Sequence, residues 1–145
     1  MAARRYPGKT QTGGRVDLVM DPSVKDAMDR GGIADITTIG RKTGKPYRIE
    51  IYFHQFDGRY YLTGRHGPRR DWEANIVANP EFTLHLKRGI TADVAVKGEP
   101  EPDPEERARI LRRALIESWD SPPDDVDKAL HKWVDGSPFI RFEPI

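Results

Sequence analysis

From Tyr47 to Phe53 the side chains alternate, with Ile49, Ile51 and Phe53 on one face and Arg48, Glu50 and Tyr52 on the other. A period of two belongs to a strand with one face buried. Phe56-Asp57-Gly58-Arg59 follows at once, and Asp-Gly is the dipeptide a two-residue hairpin favours, because both turn positions need positive φ. A strand that reverses so tightly pairs antiparallel with its successor, here Arg59 to Thr63, whereas parallel pairing needs a long crossover. This one feature steers the chain away from a doubly wound parallel sheet.

The same texture recurs. Phe82, Leu84 and Leu86 alternate with polar residues, and after Arg88-Gly89 the run Ile90, Ala92, Val94 and Val96 alternates again, which predicts a second hairpin. The β-branched run Ile33 to Ile39, ending at Gly40, and the short segment Phe139 to Phe142 add two more strands. Helices fall between them. Asp21-Pro22 caps one that stops at Gly31, and Arg69 to Ala78 is another, with Trp72, Asn75 and Ile76 on a face and Asn79-Pro80 closing it, since the residue before proline resists helical geometry. Asp103-Pro104-Glu105-Glu106 opens a third, with the stripe Ile110, Leu111, Ala114 and Leu115, and Ser121-Pro122 opens a fourth, with Val126, Leu130 and Trp133. About six strands and four short helices, with strands joined by hairpins, predict an α+β fold built around an antiparallel barrel or strongly curled sheet. Residues 1–20 lack periodicity and read as a mobile tail; residues 21–145 read as a single domain.

A chain of 145 residues suits one domain. It contains no cysteine, which excludes disulfides, thiolate metal sites and a cysteine nucleophile. The four histidines have no metal-ligand spacing, and no serine stands in a Gly-x-Ser-x-Gly elbow. No metal is expected. Nothing approaches the ~20 consecutive apolar residues of a spanning helix, and Met1 to Pro7 leads into no signal-peptide segment. The expectation is a cytoplasmic protein, with at most weak membrane-surface contact through its basic tail.

The net charge of +1 averages unlike regions. Ile39 to Arg70 holds eight Lys/Arg against Glu50 and Asp57, whereas from Glu101 onward eleven acids outnumber seven Lys/Arg. A local basic stretch suits a small anionic ligand better than nucleic acid, and no nucleic-acid partner is expected. Two loops carry that charge. Gly40-Arg41-Lys42-Thr43-Gly44-Lys45-Pro46-Tyr47-Arg48 joins two strands, and Gly64-Arg65-His66-Gly67-Pro68-Arg69-Arg70 runs into a helix N-terminus. Both present basic forks and backbone amides to phosphate or carboxylate groups.

Thr38-Ile39-Gly40-Arg41-Lys42-Thr43-Gly44, the downstream Arg48, the Asp57-Gly58 turn with Tyr60-Tyr61-Leu62, and Trp72-x-x-Asn75-x-x-Ala78-Asn79-Pro80 resemble the deazaflavin-dependent nitroreductase and quinone reductase family. The resemblance spans roughly Ile33 to Val96. It implies a split β-barrel and the cofactor F420, a hydride carrier with a phosphate and an oligoglutamate tail, used on a quinone-like, nitroaromatic or other conjugated electrophile. By position, Arg41 and Lys42 of the loop that includes Thr43, together with Arg48, would hold phosphate and tail carboxylates. Gly64, Arg65, His66 and Gly67 would contact the ring or ribityl chain, Arg69 and Arg70 a further anionic group, and Trp72 and Asn75 would brace the loop. Glu50 and Glu73 depart from the family pattern, and no tyrosine follows Tyr61 where some nitroreducing members have a donor. His66 is the candidate proton donor, because imidazole titrates near neutrality. Two other readings stand beside this one, an FMN-binding split-barrel oxidoreductase and a non-catalytic carrier of F420 or another anionic ligand. A monomer and a homodimer are both compatible with the sequence.

Overall fold

In the computed structural model, which describes residues 21–65 and 67–145, the chain runs through α1 (Pro22–Arg30), β1 (Gly32–Ile39), β2 (Pro46–Phe56), β3 (Arg59–Thr63), α2 (Asp71–Ala78), β4 (Glu81–Leu86), β5 (Ala92–Pro100), α3 (Pro104–Arg113), a π-helical turn (Ala114–Ser118), α4 (Pro123–Gly136) and β6 (Phe139–Pro144). The tail expected over residues 1–20, and His66, lie outside the described residues.

Asp57 and Gly58 adopt φ of 56° and 79°, the backbone a two-residue hairpin imposes, and they set β2 against β3 in the register Phe53↔Leu62 to Phe56↔Arg59. All the pairings are antiparallel, and the strand order β1-β2-β3-β6-β5-β4 closes on itself through β1 and β4. This is the α+β antiparallel barrel expected, with no unpaired edge among these strands to recruit another chain.

Two apolar clusters flank the same strands. Inside the barrel, Ala34, Ile36, Phe53, Leu62, Leu84, Val94, Val96 and Ile140 pack together, and α1 adds Val24, Ala27 and Met28. Asp21 caps α1 by accepting from the Ser23 N–H at 2.8 Å, and Tyr60 Oη donates to Asp29 at 2.7 Å. Helix α1 thus covers the end of the barrel where β1 begins. On the outer face, Phe56, Tyr61 and Phe139 pack under Ile110, Leu111 and Ala114, with Trp119, Leu130 and Trp133 beside them. Helices α3 and α4 therefore form a second layer over β2, β3 and β6.

Boundaries moved for local reasons. The fourth helix begins at Pro123, with Pro122 as its N-cap and so no side-chain cap, and the Ser121 N–H donates to the Leu115 carbonyl at 2.9 Å. The third keeps its Asp103 cap on the Glu105 N–H at 3.0 Å, but Glu106 pairs with Arg109 at 2.8 Å instead of closing a reciprocal box. The predicted stripe also widens into the π-helical turn after Arg113, closed by Trp119 N–H to the Ala114 carbonyl at 3.1 Å. No described helix is long and apolar enough to cross a membrane.

Candidate functional site

At the barrel end opposite α1, β1 ends and β2 begins. The connection Gly40–Lys45 is tied by backbone bonds, Gly44 N–H to the Gly40 carbonyl at 2.9 Å and Gly40 N–H to the Lys45 carbonyl at 2.8 Å. Gly40 has no room for a side chain: a Cβ there would stand 2.5 Å from Tyr47 Cε2 and 2.6 Å from Thr43 Oγ1. Helix α2 holds this loop from the side. Asn75, 4 % exposed, accepts through Oδ1 from the Arg41 N–H at 3.1 Å and from Arg41 Nη1 at 2.9 Å, and donates through Nδ2 to Thr38 Oγ1 at 3.2 Å. One turn on, Asn79 Nδ2 donates to the Ile39 carbonyl at 3.2 Å. Asn79 is the C-cap of α2, one turn beyond Asn75, so the two amides together clamp the start of the glycine loop.

Between loop and helix lies a cleft of about 460 Å³, a size suited to a cofactor or small ligand. Its walls are Ile49, Tyr47 and Trp72, and its polar rim carries Arg41, Lys42, Thr43 and Asp71, with Thr38, Gly40 and Asn75 at the back. Arg41 does not reach in alone: Nη2 meets the exposed Asp71 carboxylate at 3.2 Å. Thr43 Oγ1 accepts from the Lys45 N–H at 3.2 Å and shares a hydrogen bond with Tyr47 Oη at 2.9 Å.

Of the residues singled out from sequence, the fold brings Arg41, Lys42, Thr43, Trp72 and Asn75 together at this cleft. It sends Arg48 elsewhere. On the outer face of β2 its Nε donates to Asp35 at 2.9 Å, in a network where Lys87 joins Asp35 at 2.7 Å and also meets Glu50. Strand alternation that points Tyr47 and Ile49 into the cleft leaves Arg48 facing away. The second basic loop also turns aside. Gly67 N–H donates to the Gly136 carbonyl at 3.1 Å, Arg70 Nη1 to the Pro68 carbonyl at 3.1 Å, and Gly64 lies against Pro138 and Arg70. Gly64, Arg65, Gly67, Arg69 and Arg70 are therefore not among the residues lining this cleft. Glu73 accepts from the Phe139 N–H at 3.0 Å and so ties α2 to the start of β6; neither it nor Glu50 lines the cleft. Sequence reasoning missed Tyr47, Ile49 and Asp71 as lining residues, although the same alternation grouped residue 47 with residue 49. No group of three or more His, Asp or Glu among the described residues is placed to hold a metal.

A closed six-strand antiparallel barrel with a glycine-framed cationic cleft at one mouth defines a split-barrel protein. Residues 22–129 match the F420H(2)-dependent quinone reductase family, and the chain belongs to that family. It is accordingly an F420-dependent reductase with coenzyme F420 as its cofactor. Among solved structures it resembles a conserved hypothetical protein of Mycobacterium tuberculosis (18 % identity, 90 % of this chain and 84 % of that one, TM-score 0.65). It also resembles an F420 reductase (19 %, 83 % and 92 %, 0.55) and the heme storage protein HutZ from Vibrio cholerae (14 %, 86 % and 89 %, 0.59). At these identities the likeness shows the fold. No curated protein matches the chain. The donor set of the cleft fits the cofactor: the Arg41 guanidinium and the Lys42 ammonium suit phosphate and carboxylates, and the Ile49 and Trp72 walls suit a planar ring.

Proposed function

We propose that this protein reduces quinone-like planar electrophiles at the Gly40–Tyr47 cleft. Arg41 and Lys42 hold the anionic part of F420 there, while Ile49 and Trp72 face its ring and the acceptor. The cofactor when bound supplies a hydride; the protein supplies binding, orientation and a dry wall. Arg41 does the first of these with a guanidinium fixed by Asn75 Oδ1 at Nη1 and by Asp71 at Nη2, so its fork is pre-set before a ligand arrives and little side-chain freedom is lost on binding. The observation that carries the reading is that clamp, Asn75 Oδ1 on both the N–H and Nη1 of Arg41 at 3.1 and 2.9 Å, beside Lys42 in a cleft with apolar walls.

The test is a fluorescence titration of the protein with F420 and, in parallel, FMN, followed by oxidation of F420H2 in the presence of menadione. Wild type should bind F420 in preference to FMN and turn over. Arg41→Ala should weaken F420 binding by roughly 10- to 100-fold, the loss of a charge-assisted bond worth about 1.5–3 kcal/mol. Arg48→Ala should leave affinity unchanged, because that side chain is paired with Asp35 on the other face of β2. Failure of wild type to bind F420, or equal losses in the two variants, would overturn the site.

A further inference from the structure

Reduction of a quinone takes more than a hydride. The two electrons arrive with the hydride, the acceptor becomes a hydroquinone monoanion, and one proton must reach its remaining oxygen to complete the product. The cleft holds few groups able to give that proton. Thr38 is 1 % exposed and its hydroxyl accepts from Asn75. Asp71 is an acceptor for Arg41. Lys42 stands on the rim with the group that binds anions.

The geometry points to Tyr47 as the residue that donates a hydrogen bond to the acceptor's oxygen and then passes it the proton, with Thr43 as the relay behind it. This rests on the quinone reductase reading of the same cleft. Tyr47 lines the cleft and is 45 % exposed, so its ring edge and hydroxyl are open to a ligand there. The ring is held by contact, lying where a Gly40 Cβ would be, 2.5 Å from Cε2. Its hydroxyl is held by Thr43 at 2.9 Å. Thr43 Oγ1 accepts from the Lys45 N–H, and either hydroxyl can donate across the contact with Tyr47 Oη; with Thr43 donating, the Tyr47 proton is available to an acceptor in the cleft. After transfer, the phenolate recovers a proton through the exposed Thr43 hydroxyl from water. Atoms and charge balance: quinone plus hydride plus one proton gives hydroquinone, and water restores the tyrosine.

Tyr47→Phe keeps the ring against Gly40 and removes only the hydroxyl, and equal thermal midpoints would confirm that the fold is intact. The first readout needs no turnover. Carbonyl-labelled 1,4-naphthoquinone is bound to protein loaded with oxidised F420, and its C=O stretch is read by infrared difference spectroscopy. In wild type the stretch should lie lower than in Tyr47→Phe, the sign of a hydrogen bond lost with the hydroxyl. In turnover with F420H2, Tyr47→Phe should lower kcat about 100-fold, the usual scale of a positioned acid, with the Kd for F420 unchanged, and Thr43→Val should fall between the two. An unshifted carbonyl band, or an unchanged kcat, overturns the assignment to Tyr47 while leaving the cofactor site standing. Loss of F420 binding in Tyr47→Phe overturns it too, because the phenol would then be a cofactor contact. If wild type itself fails to bind F420, the reading beneath the assignment fails first.

Discussion

Asp71 sets a carboxylate against the guanidinium that faces the cleft. It is the first residue of α2, where a negative charge complements the helix N-terminus, and its oxygen sits 3.2 Å from Arg41 Nη2. Any anionic ligand that recruits Arg41 must compete with it. Asp71→Asn should therefore bind F420 more tightly by roughly two- to fivefold, the scale of an exposed ion pair worth about 0.2–1 kcal/mol. The gain should vanish in high salt, since exposed charges are screened. Titration at low and high ionic strength checks both halves, and a variant that binds no better at low salt would show that Asp71 does not compete. The residue scale is also where sequence and structure part most instructively. The family resemblance nominated Arg48 by position, and the structure sets it on the face of β2 opposite Ile49, paired with Asp35. A basic residue in a basic loop is evidence of local potential; which face it serves is decided by the pleat.

At the level of elements, the site is a loop held by a helix. Helix α2 buries Ala74, Asn75 and Ile76, and Asn75 with the C-cap Asn79 holds the β1 end of the Gly40–Lys45 connection. Removing the clamp leaves the Arg41 N–H and the Thr38 hydroxyl without their partner in a place where Thr38 has almost no access to water. Asn75→Ala should cost about 1–3 kcal/mol of unfolding free energy, the penalty of buried groups left unpaired, and should weaken F420 binding as well, because Arg41 loses its anchor. Urea unfolding and the F420 titration on the same samples test this; a stable variant with reduced affinity, or the reverse, would separate the two roles assigned to the amide. The elements themselves were legible because each is a local pattern: alternation, an Asp-Gly turn, an Asp-Pro cap. What joins them was not. The β1–β4 pairing and the insertion of β6 between β3 and β5 join segments far apart in the chain, and no local period encodes which strand edge a distant segment will meet.

For the molecule as a whole, the two apolar clusters on opposite faces of β2 and β3 raise the question of what joins barrel to helices, and His54 lies at that seam. It is 2 % exposed, stacked with Phe56 and flanked by the rings of Tyr52 and Trp119. Nδ1 bonds to Ser118 Oγ at 3.1 Å and Nε2 has no partner. Burial among apolar rings disfavours the charged imidazolium and lowers its pKa to about 4. In the unfolded chain the ring titrates near the ordinary ~6.5. The folded state thus binds this proton less readily. Stability from the neutral ring is complete above pH ~6.5 and is lost as pH falls from there toward about 4, by an amount on the order of 3 kcal/mol for a shift of this size. Asp35, held low by Lys87 and Arg48, and Glu106, held low by Arg109, act in the same direction only at more acid pH, where carboxylates begin to protonate. Acid loss should therefore come in two stages, with the first belonging to His54. Urea midpoints measured at pH 7.5 and pH 5 should drop for wild type and stay nearly level for His54→Phe, which keeps an aromatic ring in the seam and carries no titrating nitrogen. Equal drops in the two proteins would move the first stage to another group. A variant midpoint already low at pH 7.5 would mean that the Ser118 bond adds to what the neutral ring contributes at the seam.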